Sequence, residues 1–270
     1  MSEGSKAPVE VVIVGNKTKK RAGKVVTAIV TLLAIVTGVI SIIQYVSGEE
    51  YLLGLFRVKP TNAHGYEVGD TIPFGKWDWL VLDVQDDKAL LITKDIIEMR
   101  PYNIQDTAVT WETCTLRAYL NDEAYKNFSE QEQAMILETM LDNAANQWYG
   151  IYGGNATMDR IFLLSIEEVV KYFGDSGDLS QRKGWKYESD QMASKDGEGV
   201  INDQYNIERA AVYGNDAAGW WLRSPGRISS QAASIGGEGY LRMNGNRVNR
   251  NEDDDDIVVG LRPALWLKLT

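Results

Sequence analysis

The sequence predicts an α+β domain that follows one transmembrane helix. Three observations lead to this prediction: an uncharged apolar run near the N-terminus, hydrophobic strands at both ends of the region 70–270, and helices between those strands. Strands and helices that occupy separate stretches of a chain are typical of α+β folds. We therefore expect a basic tail at 1–24, a transmembrane helix at 25–46, a linker at 47–69 and a folded domain at 70–270.

The run 25–46 contains no charged side chain. A helix of about 22 residues spans about 33 Å, which matches the roughly 30 Å hydrocarbon core of a bilayer. Basic residues precede the run, and Glu49 and Glu50 follow it. The positive-inside rule then predicts a single-pass protein of the cell membrane, with a cytoplasmic N-terminus and an extracellular C-terminal domain. The alternative is a signal peptide cleaved near Ser47, although the length of the apolar run favours an uncleaved anchor.

A hairpin opens the folded domain. Hydrophobic residues occur on both alternating sets of positions over 77–84, which predicts a strand buried on both faces. Residues 89–93 form the returning strand. Asp86 and Asp87 lie between them and are expected to form the turn rather than an acid–base pair.

Two capping boxes predict helices in the middle of the domain. The pairs are Ser129 with Glu132, and Ser165 with Glu168. We expect the first helix to run to about Leu141 and the second to Tyr172. Short helical turns are expected over 115–121 and 122–127.

The C-terminal region returns to strands. Residues 220–222 belong to the core, and further strands are expected over 232–235, 240–243 and 264–269. The dipeptide Asn244-Gly245 is a hairpin signal.

Five large residues in these apolar stretches are expected to be structural. They are Trp220, Trp221, Arg223, Arg262 and Trp266. A buried guanidinium group must find hydrogen-bond acceptors or it destabilises the fold. Each arginine is therefore expected to bond loop carbonyls or a carboxylate. The alternative is a clamp for an anionic ligand.

The composition argues against several functional classes. The single cysteine, Cys114, and the single histidine, His64, can form neither a disulfide nor a Cys/His zinc site. We expect Cys114 to be a half-buried small residue and His64 to lie in the linker. A net charge of -10 argues against nucleic-acid binding.

No cofactor is predicted, because no phosphate-binding loop or metalloprotease motif is present in the sequence. The acidic run 252–256 offers Asp254 and Asp256 as candidate calcium ligands. Adjacent carboxylates repel one another and usually stay solvated, so no metal site is predicted there.

A polar stretch rich in glycine and asparagine lies between the two apolar C-terminal ends. Loops carried on a rigid scaffold commonly hold binding residues. The layout therefore predicts a binding surface for a protein or a glycan rather than a catalytic pocket.

Several motifs occur in a distinctive order. They are FGxWxWxVL from Phe74, PYN from Pro101, WExCTLR from Trp111, FLLS from Phe162, WLRSPG from Trp221 and GLRPALW from Gly260. In this order they resemble an uncharacterised family of bacterial domains that are often surface-anchored. That family in turn resembles the C-type-lectin fold, in the variant shared by formylglycine-generating enzymes and the variable proteins of diversity-generating retroelements.

The resemblance implies two helices packed on a twisted antiparallel sheet. It also implies that the N- and C-terminal strands pair, which would place 77–84 beside 264–269. In the variable proteins, exposed and diversified residues precede the final strand, and the matching stretch here is 227–257. The ligand-binding positions implied in this way are Arg227, Ser229, Ser230, Tyr240, Arg242, Asn244, Asn246, Asn249 and Asn251.

The protein is not expected to be an enzyme. The enzymes that it resembles need a pair of copper-binding cysteines, whereas this chain has Cys114 alone. Two alternatives to a ligand-binding protein remain open: a carboxylate-dependent enzyme of the cell envelope, and a structural or sensory module.

Overall fold

The hydrophobic strands pair into two main sheets and one small ribbon. The computed structural model describes residues 65–181, 199–249 and 259–269, all within the compact unit Lys59–Thr270. In this part of the chain the strands are β1 Thr71–Phe74, β2 Trp77–Gln85, β3 Lys88–Thr93, β4 Glu98–Met99, β5 Ile136–Leu137, β6 Thr139–Leu141, β7 Thr157–Asp159, β8 Val200–Ile201, β9 Ala211–Tyr213, β10 Asp216–Pro225, β11 Gln231–Ile235, β12 Leu241–Arg247, β13 Val259–Leu261 and β14 Ala264–Lys268.

The helices are short. They are α1 Thr115–Tyr119, α2 Glu130–Met135, α3 Ile166–Phe173, α4 Asp178–Gln181 and α5 Asn206–Arg209. A π-helical turn, Leu120–Ala124, follows α1 directly, and 3-10 turns occupy Trp111–Thr113 and Tyr125–Asn127. The structure is thus mixed α+β, with mostly antiparallel sheets and few helices, which confirms the predicted class at that level.

The first sheet has the strand order β1-β2-β3-β14-β5. The predicted hairpin is confirmed, since β2 and β3 pair across a turn at Asp86 and Asp87. The predicted pairing of the last strand with residues 77–84 is wrong. β14 pairs with β3, with Leu265 opposite Leu91. The reason is that β1 already occupies the outer edge of β2, so the open edge of the hairpin belongs to β3.

The first predicted helix is shorter than expected. Its capping box at Ser129 and Glu132 is present, but the helix ends at Met135. Ile136 instead adopts an extended conformation and pairs with Leu267 at the edge of the first sheet. Sheet pairing and burial of Ile136 override the helical pattern.

The second capping box is confirmed. Ser165 accepts a hydrogen bond from the backbone N–H of Glu168, whose carboxylate accepts one from the N–H of Ser165 at 2.8 Å. The helix runs to Phe173 and ends at Gly174, which has a φ of 97°. Ile166, Val169 and Phe173 form its buried side.

The second sheet has the order β4-β13-β10-β11-β12-β8, and β9 pairs with the beginning of β10. Its central strand, β10, is buried from Gly219 to Pro225. β13 runs parallel to β10, whereas β10, β11 and β12 form an antiparallel meander. β6 and β7 form the separate two-stranded ribbon.

A bulge replaces the hairpin predicted at Asn244-Gly245. Asn246 pairs with Ala232, and Arg242 pairs with Ser234. β12 therefore places three residues, 243–245, opposite one residue of β11. Gly245 has a φ of 70°, a conformation that favours glycine. A hairpin signal and a bulge signal share this requirement, which explains the wrong prediction.

The predicted membrane span at 25–46 lies outside the described residues, as do the tail and residues 47–64 of the linker, including His64. Among the helices that the structure describes, none has both the length and the apolar character needed to cross a membrane.

The bulge predicts that Gly245→Ala lowers the free energy of unfolding. A Cβ atom there would lie 2.3 Å from the carbonyl oxygen of Ala232, whereas a Cβ on Gly214, which also has a positive φ, would meet nothing within 4 Å. Both substitutions introduce backbone strain. The difference between their effects on the free energy of unfolding therefore reports the steric clash at Gly245. We expect Gly245→Ala to lower the free energy of unfolding by about 1–3 kcal/mol more than Gly214→Ala. Chemical denaturation of both variants measures this difference, and equal losses would contradict the described bulge.

Candidate functional site

The loops at one end of β11 and β12 come together with a loop from the first half of the domain. We call the residues 104–110, 226–230 and 247–249 the loop surface. Three contacts join its parts. Val109 donates its backbone N–H to the carbonyl of Ser229 at 2.9 Å, and Asn103, next to the first loop, donates its N–H to the carbonyl of Val248 at 2.8 Å. The Nη1 atom of Arg247 bonds Oδ2 of Asp106 at 3.0 Å.

Two isoleucines on the loop surface are exposed to solvent. The exposed fraction is 71% for Ile104 and 47% for Ile228. The same surface carries exposed polar groups, including Ser229 and the guanidinium of Arg247. An exposed apolar group within a polar rim is typical of protein–protein contact sites.

The sequence did not predict the contribution of residues 104–110. Its polar composition matches an ordinary loop, and its partners Ser229 and Arg247 lie more than a hundred positions away in the chain. Only the motif order PYN, then WExCTLR, marked the borders of this segment.

Four of the predicted binding residues lie within the loop surface. They are Arg227, Ser229, Ser230 and Asn249. Ser229 is exposed and the other three are half-buried. The backbone N–H of Arg227 donates to the carbonyl of Asn244 at 2.9 Å, and the carbonyl of Ser230 accepts from the N–H of Val248. These contacts use the backbone groups of Arg227 and Ser230, so they leave those two side chains available for other partners.

Tyr240 and Arg242 lie at the opposite end of β12. Arg242 donates from Nη2 to the hydroxyl of Tyr240 at 2.7 Å, and its guanidinium carbon lies 5.0 Å from the ring centroid. The length of β12 separates this pair from Asn249 by roughly 20 Å. The predicted residues therefore form two groups, which only a ligand of macromolecular size could contact together.

The asparagines of β12 differ in exposure. Asn246 is buried and donates from Nδ2 to the hydroxyl of Ser234 at 2.8 Å. The position is therefore not exposed, because the side chain faces Ser234 within the sheet, and its role in binding stays a prediction. Asn244 is half-buried and lies against Gly199. Asn251 lies outside the described residues, as do Asp254 and Asp256.

Three buried polar atoms in this part of the described structure have no hydrogen-bond partner. They are Oε1 of Gln231, Nε of Arg242 and Oδ1 of Asn244. Each such atom costs free energy, because it has lost water without gaining a bond. These polar groups on β11 and β12 therefore do not stabilise the fold through those atoms.

Arg223 is held by acceptors from three parts of the chain. Its Nη1 atom donates to the carbonyl of Leu163 at 2.8 Å and also bonds the carboxylate of Glu168, while Nη2 lies 3.1 Å from the other oxygen of Glu168. Nη2 also donates to the carbonyl of Asp142 at 3.4 Å. The sequence predicts loop carbonyls or a carboxylate as partners, and Arg223 has both.

Arg262 is buried between two aromatic rings. Its guanidinium carbon lies 5.1 Å from the Trp220 ring centroid and 5.4 Å from that of Phe173. Nε donates to the carbonyl of Thr93 at 2.9 Å. Burial lowers the pKa of Arg262 to about 10, while the charge of Asp95 acts in the opposite direction. Its contacts are those of a residue that holds the two sheets together.

The remaining aromatic residues predicted to be structural differ in burial. Trp220 and Trp221 are fully buried, and their indole N–H groups donate to the carbonyls of Arg209 and Arg100 at 3.0 and 2.9 Å. Trp266 is half-buried, and the ammonium group of Lys88 lies 4.7 Å from its ring centroid.

Cys114 is buried rather than half-buried, and it caps the N-terminus of α1. Its sulfur accepts a hydrogen bond from the backbone N–H of Arg117 at 3.3 Å. Burial raises the pKa of the thiol to about 12. At neutral pH the group is therefore an unreactive thiol rather than a thiolate nucleophile. Within the described part of the chain, no three His, Cys, Asp or Glu side chains are grouped as metal ligands would be.

A family model described as a domain of unknown function, DUF6273, matches residues 86–269, about two thirds of the chain. The chain belongs to the DUF6273 family. The matched part of this DUF6273 domain begins at the turn between β2 and β3 and ends just after β14. It includes the buried Arg223 and Arg262 and the whole loop surface. Neither the curated proteins nor the solved structures contain a match.

The contacts of Arg262 predict a structural role. Arg262→Ala removes the group packed between Trp220 and Phe173 and the donor to the Thr93 carbonyl. We expect it to lower the free energy of unfolding by about 2–4 kcal/mol. Arg247→Ala, at an exposed arginine, should change it by less than about 1 kcal/mol. Thermal and chemical denaturation measure both values. Unchanged stability together with lost ligand binding would favour the anion clamp instead.

Proposed function

We propose that this DUF6273 domain is the extracellular, ligand-binding part of a membrane-anchored bacterial surface protein, and that the loop surface binds a protein ligand without covalent chemistry. The observation that carries the proposal is the joining of residues 104–110 to 226–230 and 247–249. Segments distant in the chain meet there through backbone bonds and an ion pair. A buried strand, β10, supports them from within.

The composition of the loop surface supports a protein as the ligand. Ile104 and Ile228 offer apolar contact area, whereas Arg227, Ser229 and Asn249 offer polar groups around it. Adaptable polar side chains beside apolar anchors are common in protein-binding loops. A glycan is the other class that the sequence predicts, and binding screens distinguish the two.

We also propose that the domain has a C-type-lectin-like fold. Two observations support this. The last strand, β14, lies beside the N-terminal hairpin in one sheet, and the β10–β12 meander with its loops precedes that strand. The partner of β14 is β3 rather than β2, so the last strand pairs with the second strand of the hairpin and not, as the resemblance implies, with the first.

The resemblance to the variable proteins of diversity-generating retroelements gives a genomic expectation. A reverse transcriptase gene near this gene, with a template copy of the region encoding 220–262, would support diversification of this surface. Among the four predicted binding residues of the loop surface, Ser229 is the position where a changed side chain would disturb the fold least, because it is the exposed one.

The proposed anchor makes a topology prediction. In cells that produce the full chain with a tag at each end, protease added outside should remove the C-terminal tag and leave an N-terminal fragment in the membrane. A charge-free run at 25–46 preceded by basic residues is the reason. Immunoblotting of intact and permeabilised cells measures the result. Loss of the N-terminal tag with release of the domain would instead indicate a cleaved signal peptide.

The loop surface makes a binding prediction with a matched control. Ile228→Asp places a charge among the exposed anchors, whereas Ile207→Asp changes an equally apolar residue, 79% exposed, on α5. The full chain is first screened against arrays of bacterial and host surface proteins and glycans. For a protein that binds, we expect Ile228→Asp to weaken the interaction roughly 5- to 30-fold, as truncation of an interface anchor does.

The control should leave binding unchanged, and both variants should keep the melting temperature of the original protein. Equal effects of the two substitutions would contradict the assignment of the loop surface. Catalytic turnover that survives Ile228→Asp and is lost on one Asp or Glu substitution would favour the envelope enzyme instead.

A further inference from the structure

A small cleft lies beside the loop surface, between residues 100–104 and the helical segment 115–123. Its volume is about 270 Å³. Ile104 lines the cleft and also belongs to the loop surface. A ligand that covers the loop surface at Ile104 therefore reaches the mouth of the cleft.

One wall of the cleft is a single helical face. Its residues are Thr115, Ala118, Tyr119, Asp122 and Glu123, a spacing of three and four that places side chains on one side of a helix. This wall begins in α1 and continues into the π-helical turn that follows it. Widened turns of this kind are frequent at functional sites.

The cleft has an apolar part. Pro101 and Ile104 come from one side, and Leu116 and Ala118 from the other. Leu116 is buried at the base, whereas Ala118 is exposed. A side chain that entered here would bury aliphatic carbon atoms against these groups.

The charges around the cleft leave a negative excess. Arg100 is neutralised by Glu98, whose Oε1 lies 2.8 Å from Nη2 of Arg100. The same guanidinium lies 3.6 Å from the ring centroid of Tyr119, so it covers that ring. Asp122 forms an ion pair with Lys126. Among the described residues, Glu123 has no ion pair, and it is exposed at the cleft.

The volume limits what the cleft can hold. Pockets for small organic ligands commonly measure about 300–1,000 Å³ and enclose most of the ligand. At about 270 Å³ and with an open mouth, this cleft fits one side chain better than a whole small molecule. An apolar wall that ends at a carboxylate suits a long side chain with a cationic end, because lysine and arginine bury their methylene groups and keep the charge at the surface.

We infer that this cleft receives a lysine or arginine side chain of the protein ligand that binds the loop surface. The inference rests on the proposed function and adds the chemistry of the partner. Charge complementarity supports it, since the chain has a net charge of -10 and would attract a basic partner over several ångströms of water. The stem of the side chain packs on Ile104 and Leu116, and the cation lies near Glu123.

The test uses two probes of equal stem length: N-acetyl-lysine amide, and N-acetyl-norleucine amide, which lacks the charge. Saturation-transfer NMR with the full chain in mild detergent measures the binding of each. We expect the lysine probe to bind more strongly than the norleucine probe. Glu123→Gln should weaken the binding of the lysine probe about two- to fivefold, the range for a partly exposed ion pair. It should leave the binding of the norleucine probe unchanged.

Glu130→Gln is the matched control, because Glu130 is an exposed glutamate on α2 outside the cleft. It should change neither probe. Equal binding of the two probes would overturn the inference, since the cleft would then not select a cation. Equal effects of Glu123→Gln and Glu130→Gln would also overturn it, because they would indicate attraction to the overall charge of the protein.

A further pair of outcomes separates this inference from the proposed function. Ile228→Asp should leave the lysine probe unaffected, because Ile228 does not line the cleft. If Ile228→Asp weakens a protein ligand and Glu123→Gln does not, the loop surface stands and the cleft inference fails. If the lysine probe depends on Glu123 while Ile228→Asp has no effect on the protein ligand, the cleft selects a cation but the assignment of the loop surface fails.

Discussion

The bonds between Arg223 and Glu168 hold the centre of the domain together. Glu168 completes the capping box of α3 through the N–H of Ser165 and at the same time receives the guanidinium of Arg223 from β10. Leu163 supplies a carbonyl to the same guanidinium. A buried cation is stable only when acceptors surround it, so the helix start, the preceding segment and the central strand must adopt their positions together.

The loop surface is connected to Arg223 through the segment that precedes residues 104–110. Tyr102 donates its hydroxyl to the carbonyl of Arg223 at 3.0 Å, which fixes the beginning of the segment that becomes 104–110. At the far end of that segment, the indole N–H of Trp111 donates to buried Asp159 at 2.9 Å. Both ends of the loop are thus tied to the core while its middle stays exposed. The loop surface therefore keeps its shape while its side chains stay exposed.

Local signals predicted the elements that depend on neighbours in sequence. The turn at Asp86 and both capping boxes are set by the few residues around them, and they occur where the sequence places them. Partners distant in the chain were not predictable in the same way. The pairing of β14 with β3 depends on β1 covering β2, and the end of α2 depends on Ile136 finding Leu267. The candidate site was predictable to the same extent. The sequence predicted the loop residues near β11, whereas the contribution of residues 104–110 and the cleft beside Ile104 could be identified only from the structure.

The bulge in β12 has an evolutionary consequence. Its backbone is engaged on both sides, because Gly199 accepts from the N–H groups of Met243 and Asn244, and Arg227 donates to the carbonyl of Asn244. Strand side chains alternate between faces, so an inserted or deleted residue here would turn every later side chain of β12 to the other face. Variation in this stretch is therefore free in the identity of its outward residues but closely constrained in their number. A lineage could change these outward side chains by point substitution, while changes in length would be removed by selection for folding.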